Sequence, residues 1–372
     1  MKTILSTFLF IALPFLGIGN NPETDGLLIR IPLSKEIKCP LDKLFSEYEF
    51  ITLDSNDPAL LEGLDIINRI IVKDDYIYVG DLFKLTLFDR SGKYVTTLNK
   101  QGQGPDSYLS LFNFTIHTNG DISILDRMTS AVVTYNKSGE MISKKHFPEL
   151  SLRDLIMLND STLILKTMGD RDSRNNIYIV NWTNGEVINS YYPVAHSKLI
   201  HMFKDFFPTY QRCVFLNGYR SNHVYELTRE KLCPAYTIDV DGRIPPKDFW
   251  QSSDNSRQLE QAYSEKGYIG HIPFFMEGEQ KILLRFEGAS DALKSYALID
   301  KATGKSELIK EFLFDPSFGW EPDYIFPQEN GWVVIPIPAH LLFDKKGTTS
   351  FAKKFPDIDA ESNYILCIAR LK

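Results

Sequence analysis

The sequence predicts an all-β protein, a six-bladed β-propeller built from four-stranded antiparallel blades. Three observations support this fold class. A unit of four short strands recurs along the chain, equivalent turns lie about 45 residues apart, and strand-forming segments near both termini can complete one shared blade. All-β chains of this length often fold as one unit, so the 372 residues do not require two domains.

The first unit spans residues 70–99 and contains four short runs of β-branched and aromatic residues. Asp, Ser, Gly and Asn separate these runs, and such residues favour tight turns. The runs are Ile70–Val72, Tyr76–Val79, Leu85–Phe88 and Tyr94–Leu98. A meander of this kind cannot bury both of its faces alone, so its copies must pack against one another.

The turn between the third and fourth strands marks the repeat. Gly92, Gly139, Gly185 and Glu230 are separated by 47, 46 and 45 residues. The next step, to Gly304, is 74 residues, which equals one repeat plus an insertion, and a further 43 residues reach a sixth mark at Gly347. A period near 45 with four strands per unit is typical of propellers rather than helical solenoids.

The two ends of the chain are predicted to close the ring. The last strand, 364–369, requires a partner, and the segment 48–53 near the N-terminus has the composition to supply it. The N- and C-terminal segments would then share the last blade and remove the exposed sheet edges.

The insertion covers about residues 241–267 and differs from the repeats. It is polar, but Phe249, Trp250, Leu259 and Tyr263 recur at near-helical spacing. We expect a partly helical segment that lies over the ring, and its simplest role is a lid that packs on its own blade.

Residues 1–19 have the pattern of a secretory signal peptide. Lys2 precedes an apolar run over residues 4–16, and Gly17-Ile18-Gly19 is a small-x-small pattern before polar residues. Residues 20–372 would then form the propeller; the alternative is an uncleaved anchor. No Cys lies near the cleavage position, so the usual lipid-attachment signal is missing. No later stretch is apolar enough to span a bilayer.

Charge and cysteine content narrow the function classes further. The formal charge of −7 excludes a broad basic surface and therefore argues against nucleic-acid binding. Cys213 and Cys233 are placed two strand spacings apart, too far for a disulfide. Cys39 and Cys367 could meet where the ring closes, but buried free thiols are the favoured state.

Three segments resemble a known family. Residues 88–94 resemble the NHL-type propeller blade, and Gly102–Tyr108 is similar to the Gly-x-Gly-Pro-x-x-Tyr link of an exported six-bladed β-propeller family of gut-type bacteria. Asn363–Leu366 resembles that family's terminal strand. The resemblance covers about residues 27–372 and implies a propeller and an export route. Many members carry a lipid-attachment Cys that this chain lacks. The resemblance implies no particular activity and no catalytic residue.

Motifs for enzymatic chemistry are absent from the sequence. It contains no His-Glu-x-x-His, Gly-x-Ser-x-Gly, Cys-x-x-Cys or phosphate-binding loop. The stretch 170–176 suggests a calcium loop, but it lacks the central Gly, carries two Arg, and has Asn181 where Glu is needed. We expect no cofactor and no metal.

The two faces of the predicted ring differ in loop length. The face we call the turn face carries only tight turns, such as Asp74–Asp75, Ser91–Gly92 and Asn119–Gly120. The opposite face, which we call the loop face, carries residues 169–175, 194–205, the insertion and 316–323. Long loops on a rigid scaffold are where binding usually resides.

The loop face also gathers side chains that suit acidic or glycan-like ligands. These candidates are Arg127, Arg171, Arg174, Arg220, Trp250 and Trp320, and two histidines, His271 and His340, could reach the axis. The alternative is that the arginines are solvated or paired with nearby Asp, and that the histidines are structural.

The sequence therefore favours a non-enzymatic ligand- or protein-binding propeller of the bacterial cell envelope. The ligand or an envelope protein would bind on the loop face over the central axis, to a monomer in the periplasm or outside the cell. The alternative is a metal-assisted hydrolase or lactonase, or a lyase, acting at the central channel. Three or four Asp, Glu, His or Asn side chains converging on the channel would distinguish the enzyme.

Overall fold

The computed structural model describes residues 19–20, 26–167, 175–193, 206–208, 213–216, 222–230, 232–246, 249, 252, 256–288, 290, 293–344 and 347–372. Six sheets, each with a four-stranded antiparallel core, surround a common axis. This arrangement confirms the predicted six-bladed β-propeller. No helix in the described part of the chain is long and apolar enough to cross a membrane.

The N-terminal segment forms strands that join blades built much later in the chain. Its elements are β1 (Gly19–Asn20), β2 (Leu27–Ile31), β3 (Ile37–Pro40), the one-turn helix α1 (Leu41–Leu44) and β4 (Phe45–Thr52).

Blades 1 to 3 are each made from four consecutive strands. Blade 1 contains β5 (Arg69–Lys73), β6 (Tyr76–Gly80), β7 (Leu85–Asp89) and β8 (Tyr94–Leu98). Blade 2 contains β9 (Asn113–Ile116), β10 (Ile122–Asp126), β11 (Ala131–Tyr135) and β12 (Met141–His146). Blade 3 contains β13 (Leu152–Asn159), β14 (Thr162–Thr167), β15 (Asn175–Asn181) and β16 (Val187–Pro193).

Blades 4 to 6 complete the ring. Blade 4 contains β17 (Phe206–Pro208), β18 (Cys213–Leu216), β19 (His223–Leu227) and β20 (Leu232–Val240). After helix α2 (Ser256–Glu265), blade 5 contains β21 (Ile269–Glu277), β22 (Lys281–Gly288), β23 (Lys294–Asp300), β24 (Ser306–Asp315) and the short β25 (Phe318–Trp320). Blade 6 contains β26 (Phe326–Pro327), β27 (Trp332–Ile337) and β30 (Ile365–Leu371). Between β27 and β30 the chain forms a small hairpin of β28 (Phe343–Asp344) and β29 (Gly347–Thr348).

The ring closes as the sequence predicts. Strand β4 pairs antiparallel with β30, with Thr52 opposite Ile365 and Tyr48 opposite Ala369, and it forms the outer strand of blade 6. The predicted turn glycine Gly92 contacts this closure: it has a φ of 86°, and a Cβ atom there would collide with the Thr52 carbonyl. Only glycine meets both demands.

Two further pairings are not predicted from the sequence. Strand β2 adds in parallel to β20 of blade 4, and β3 adds in parallel to β24 of blade 5. The N-terminal segment therefore contributes a strand to each of blades 4, 5 and 6. The apolar residues Ile29, Ile31, Cys39 and Phe45 bury themselves in the core that these blades share.

Three details of the predicted chain course need correction. Gly347, the predicted sixth turn mark, lies in the small hairpin of β28 and β29, because the outer strand of blade 6 comes from the N-terminus instead. Part of the predicted loop 316–323 is strand β25, which pairs with β24. The predicted loops 169–174 and 194–205 lie outside the described residues.

The insertion contains a helix, as predicted. On α2, Leu259 and Tyr263 are buried, and they form a small separate core with Phe249. The Tyr263 hydroxyl accepts a hydrogen bond from the Gly270 amide at 2.9 Å. The helix therefore packs on the first strand of its own blade.

Cys39 and Cys367 are free and buried, as favoured from the sequence. Burial raises the pKa of the Cys39 thiol to about 11 and also raises that of Cys367. Strands β18 and β20, which carry Cys213 and Cys233, lie on either side of β19, as predicted.

Candidate functional site

A cavity of about 1120 Å³ occupies the centre of the ring. Residues of the inner strands β5, β9, β13, β21 and β26 contribute to its wall. The wall at the loop face includes Asn68, Arg69 and Asn113, from the beginnings of inner strands or just before them. At the turn face it includes Asp74 and Asp160, from the turns that follow β5 and β13. This volume is at the upper end of the range typical of small-molecule sites.

A charged network at the loop face links the first three blades. Arg69 begins β5, and its Nη2 donates to Asp154 Oδ1 on β13 at 3.0 Å. Arg69 Nη1 donates to the carbonyl oxygens of Phe114 and Leu155, each at 3.0 Å. The Asn113 side-chain amide donates to the same Asp154 oxygen. Asp154 is only 2% exposed, so this charge-assisted network lies in a region of low dielectric.

Arg153 lies beside this network and also lines the cavity. It is only 7% exposed, and its guanidinium carbon lies 4.7 Å from the centroid of the Phe112 ring. Arg127 contacts the same ring at 5.0 Å. Among the described residues, none accepts a hydrogen bond from the Arg153 guanidinium or lies within ion-pair distance of it. Burial, together with the neighbouring Arg127, lowers the pKa of Arg153.

Lys166 adds a further buried basic group next to Asp154. It lies on β14, directly across the ladder from Asp154 on β13. Burial lowers its pKa to about 7, and the Asp154 carboxylate opposes that effect. Arg69, Arg127, Arg153 and Lys166 together are called the cationic wall.

Blade 5 presents a different set of charges to the cavity. Glu287 lies near the end of β22. Its Oε2 is 3.4 Å from Nδ1 of His271, and its Oε1 is 3.1 Å from Nε of Arg285. The hydrogen bond from His271 lowers the pKa of Glu287, and the Arg285 charge adds to the effect while burial opposes it. Glu287 is therefore ionised at neutral pH.

Arg285 also fixes the segment that leads into blade 6. Its Nη1 donates to the carbonyl oxygens of Pro322 and Asp323, each at 3.2 Å, and the Tyr296 hydroxyl donates to Pro322 at 2.8 Å. The Asp323 carboxylate lies at the cavity rim, 3.7 Å from Arg285, and its side chain is 64% exposed.

Glu321 adds a third carboxyl group to this side of the ring. Burial raises its pKa, and its Oε1 is buried with no hydrogen-bond partner in the described part of the chain. Glu287, Glu321 and Asp323 together are called the carboxylate wall.

The candidates predicted from the sequence fall into three groups. Arg127 and His271 contact residues of the cavity wall, Phe112 and Glu287 respectively. Trp320 lies on β25, which pairs with the end of β24, and it packs on Phe314. His340 lies exposed in the turn of residues 339–342 after β27. The remaining four lie outside the described residues: Arg171, Arg174, Arg220 and Trp250.

Sequence reasoning missed the charged residues that line the cavity. Arg69 and the pair Arg153-Asp154 stand at the beginning of inner strands, and Arg285 and Glu287 stand near the end of a second strand. The sequence could have indicated these residues, because they are charged residues within otherwise apolar strands. The beginning of an inner strand and the end of a second strand both lie at the loop face. Only the assembled ring shows that they share one cavity.

The described residues also bear on metal binding. Within those ranges, no three His, Cys, Asp or Glu side chains are grouped closely enough to hold a metal ion.

Comparison with solved structures finds several similar chains. A candidate exported protein of Bacteroides fragilis has a TM-score of 0.72 at 16% identity, over 93% of this chain and 99% of that one. A member of the DUF4221 family from Bacteroides vulgatus has a TM-score of 0.44 at 12% identity, over 87% and 97%. Virginiamycin B lyase from Staphylococcus aureus has a TM-score of 0.46 at 9% identity, over 87% and 100%. Identities this low show similarity of fold alone.

The model of one protein family matches nearly the whole chain. That family is described as a domain of unknown function, DUF4934, and the match covers residues 28–370. No curated protein matches the sequence.

Proposed function

The chain belongs to the DUF4934 family, and we propose that it is a non-enzymatic binding protein of the bacterial cell envelope that holds an acidic ligand at the loop-face end of its central cavity. The observation that carries the proposal is Arg153. Its side chain is largely buried, its guanidinium faces the cavity, and no described residue accepts a hydrogen bond from it or pairs with its charge.

A buried guanidinium without an acceptor is costly to the folded protein. Desolvation penalises its charge, and the nearby Arg127 penalises it further, while the Asp154 carboxylate and the Phe112 ring compensate only in part. A carboxylate or sulfate group of a ligand would supply the missing acceptor. Its geometry would suit the guanidinium, which presents parallel N–H donors.

The location in the envelope rests on two supports. Residues 1–19 have the pattern of a secretory signal. The fold is also similar to that of a candidate exported protein. We expect a monomer that works in the periplasm or outside the cell, with an acidic glycan, an acidic peptide or an acidic segment of an envelope protein as ligand.

An array of acidic and neutral glycans and peptides, followed by calorimetry on the strongest binder, tests the proposal. We expect acidic members to bind and their neutral counterparts to bind weakly. Arg153→Met keeps the side-chain bulk and removes the donors, so it should weaken binding by about 1.5–3 kcal/mol.

Lys93→Ala is the matched control, because it removes one positive charge from an exposed position on the turn face. It should leave affinity unchanged. The proposal is wrong if neutral and acidic compounds bind equally well, or if Lys93→Ala costs as much affinity as Arg153→Met. The melting temperature of each variant shows whether the fold is intact.

A further inference from the structure

The cavity has two poles of opposite charge. On the side of blades 1 to 3, the cationic wall offers Arg153, and the carboxylate of Asp154 is already bound to Arg69 and Asn113. Because that acidic group is occupied, the charge this wall presents to the cavity is positive.

The side of blade 5 has the opposite balance. On this side the cavity lining carries two carboxylates, Glu287 and Asp323, and one guanidinium, Arg285. Lys294 adds a positive charge close to Glu287 and Glu321. Arg285 directs Nη1 at two backbone carbonyl oxygens, and within the described ranges the Asp323 carboxylate has a single long contact of 3.7 Å, with Nη2 of Arg285. This carboxylate can therefore accept hydrogen bonds from a ligand cation.

Apolar side chains also line the cavity beside the two poles. Phe112 lies next to Arg153, Phe274 is buried near Arg285, and Ile71, Ile156 and Tyr324 also line the cavity. A ligand that spans the poles therefore meets apolar surface in its middle part. The volume of about 1120 Å³ is sufficient for such a molecule.

Resting on the proposed function, we infer that the ligand is amphoteric, a short peptide with free ends. Its carboxylate end binds Arg153, and its ammonium end binds Asp323. The side chains between them contact the apolar part of the wall. The carboxylate end then meets the largely buried Arg153, where ion pairing is stronger than in bulk solvent, whereas the ammonium end meets an exposed carboxylate at the rim.

Affinity selection with mass spectrometry on three libraries of random tetrapeptides tests this inference. The first library has free ends, the second is N-acetylated and the third is C-amidated. We expect the free-ended library to be retained about tenfold or more over each blocked library. Absence of any retained free-ended peptide overturns the inference.

Two variants assign the ends to the poles. Asp323→Asn should remove the preference for a free amino end, because it neutralises an exposed carboxylate without changing its size. Arg153→Met should remove the preference for a free carboxyl end. Asp75→Asn, at an exposed position on the turn face, is the control and should change neither preference.

The outcomes separate this inference from the proposed function. If N-acetylated peptides bind as well as free ones while C-amidated peptides do not, the anion site is supported and the second pole is wrong. If amidation has no effect in the wild type, peptide recognition by Arg153 is refuted as well. A preference for a free amino end that persists in Asp323→Asn would also refute the carboxylate pole.

Discussion

Blades 1 to 3 and blades 4 to 6 differ in how they are built and in what they bring to the cavity. Each of the first three blades consists of four strands that follow one another in the sequence. The other three blades each receive one strand from residues 27–52, and two of these pairings are parallel. The first half therefore depends on local contacts, whereas the second half depends on contacts between distant parts of the chain.

The same division separates the charges of the candidate site. The cationic wall comes from blades 1 to 3, and the carboxylate wall comes from blade 5 and the segment after it. Because ring closure holds the two halves together, it also sets the distance between the two poles.

The largest effect should come from deleting residues 20–55. This deletion removes the outer strand from each of blades 4, 5 and 6 and the apolar residues that β2, β3 and β4 bury. Three exposed sheet edges would remain, and unpaired edges promote association between chains. We expect aggregation and loss of a cooperative melting transition, measured by light scattering and calorimetry.

Deletion of residues 21–25 alone is the control, since β1 ends at Asn20 and β2 begins at Leu27. This shorter deletion should leave a monomer with the wild-type melting temperature. A monomeric product with an unchanged melting curve after the longer deletion would show that the second half does not need these strands.

The first half shows how far the sequence could predict the fold. Turn glycines such as Gly92 and Gly139 recur at nearly constant spacing, and both adopt positive φ in the structure. Local patterns of this kind specify blades whose strands are consecutive. The closure by β4 was also predictable, because an unpaired strand remained at each end of the chain.

The second half shows which features of the fold could not be predicted from the sequence. The parallel addition of β2 and β3 joins segments about 200 residues or more apart in the sequence, and no local pattern encodes such a pairing. The same holds for the site. Arg153 and Asp323 are brought to one cavity only by the assembled ring, so a single sequence does not reveal that they belong together.

A second prediction compares a buried ion pair of the first half with an exposed pair of the second. Asp154→Asn removes the charge that compensates the partly buried Arg69 guanidinium. Breaking a buried pair in this way typically costs about 3–5 kcal/mol. The free energy of unfolding from urea titration should fall by that order.

Glu311→Gln is the comparison variant. Glu311 pairs with Lys38 at 2.6 Å, but the Lys38 side chain is 60% exposed. Exposed pairs contribute about 0–1 kcal/mol, so this variant should unfold almost like the wild type. Equal losses for the two variants would contradict the greater burial of the first network.

The smallest effect concerns Lys166 of the cationic wall and the pH dependence of the free energy of unfolding. Its pKa is about 7 in the folded protein because of burial, well below the ordinary lysine value that applies in the unfolded chain. Between these two pH values Lys166 is protonated in the unfolded chain but largely neutral in the folded protein. The free energy of unfolding therefore rises with pH above about 7. One such group contributes at most about 1.4 kcal/mol per pH unit.

Urea titrations between pH 7 and 9 should show this rise, and Lys166→Met should flatten it, whereas Lys93→Met at an exposed position should not. A slope that is the same in all three proteins would mean that Lys166 keeps an ordinary pKa and remains fully charged at this wall.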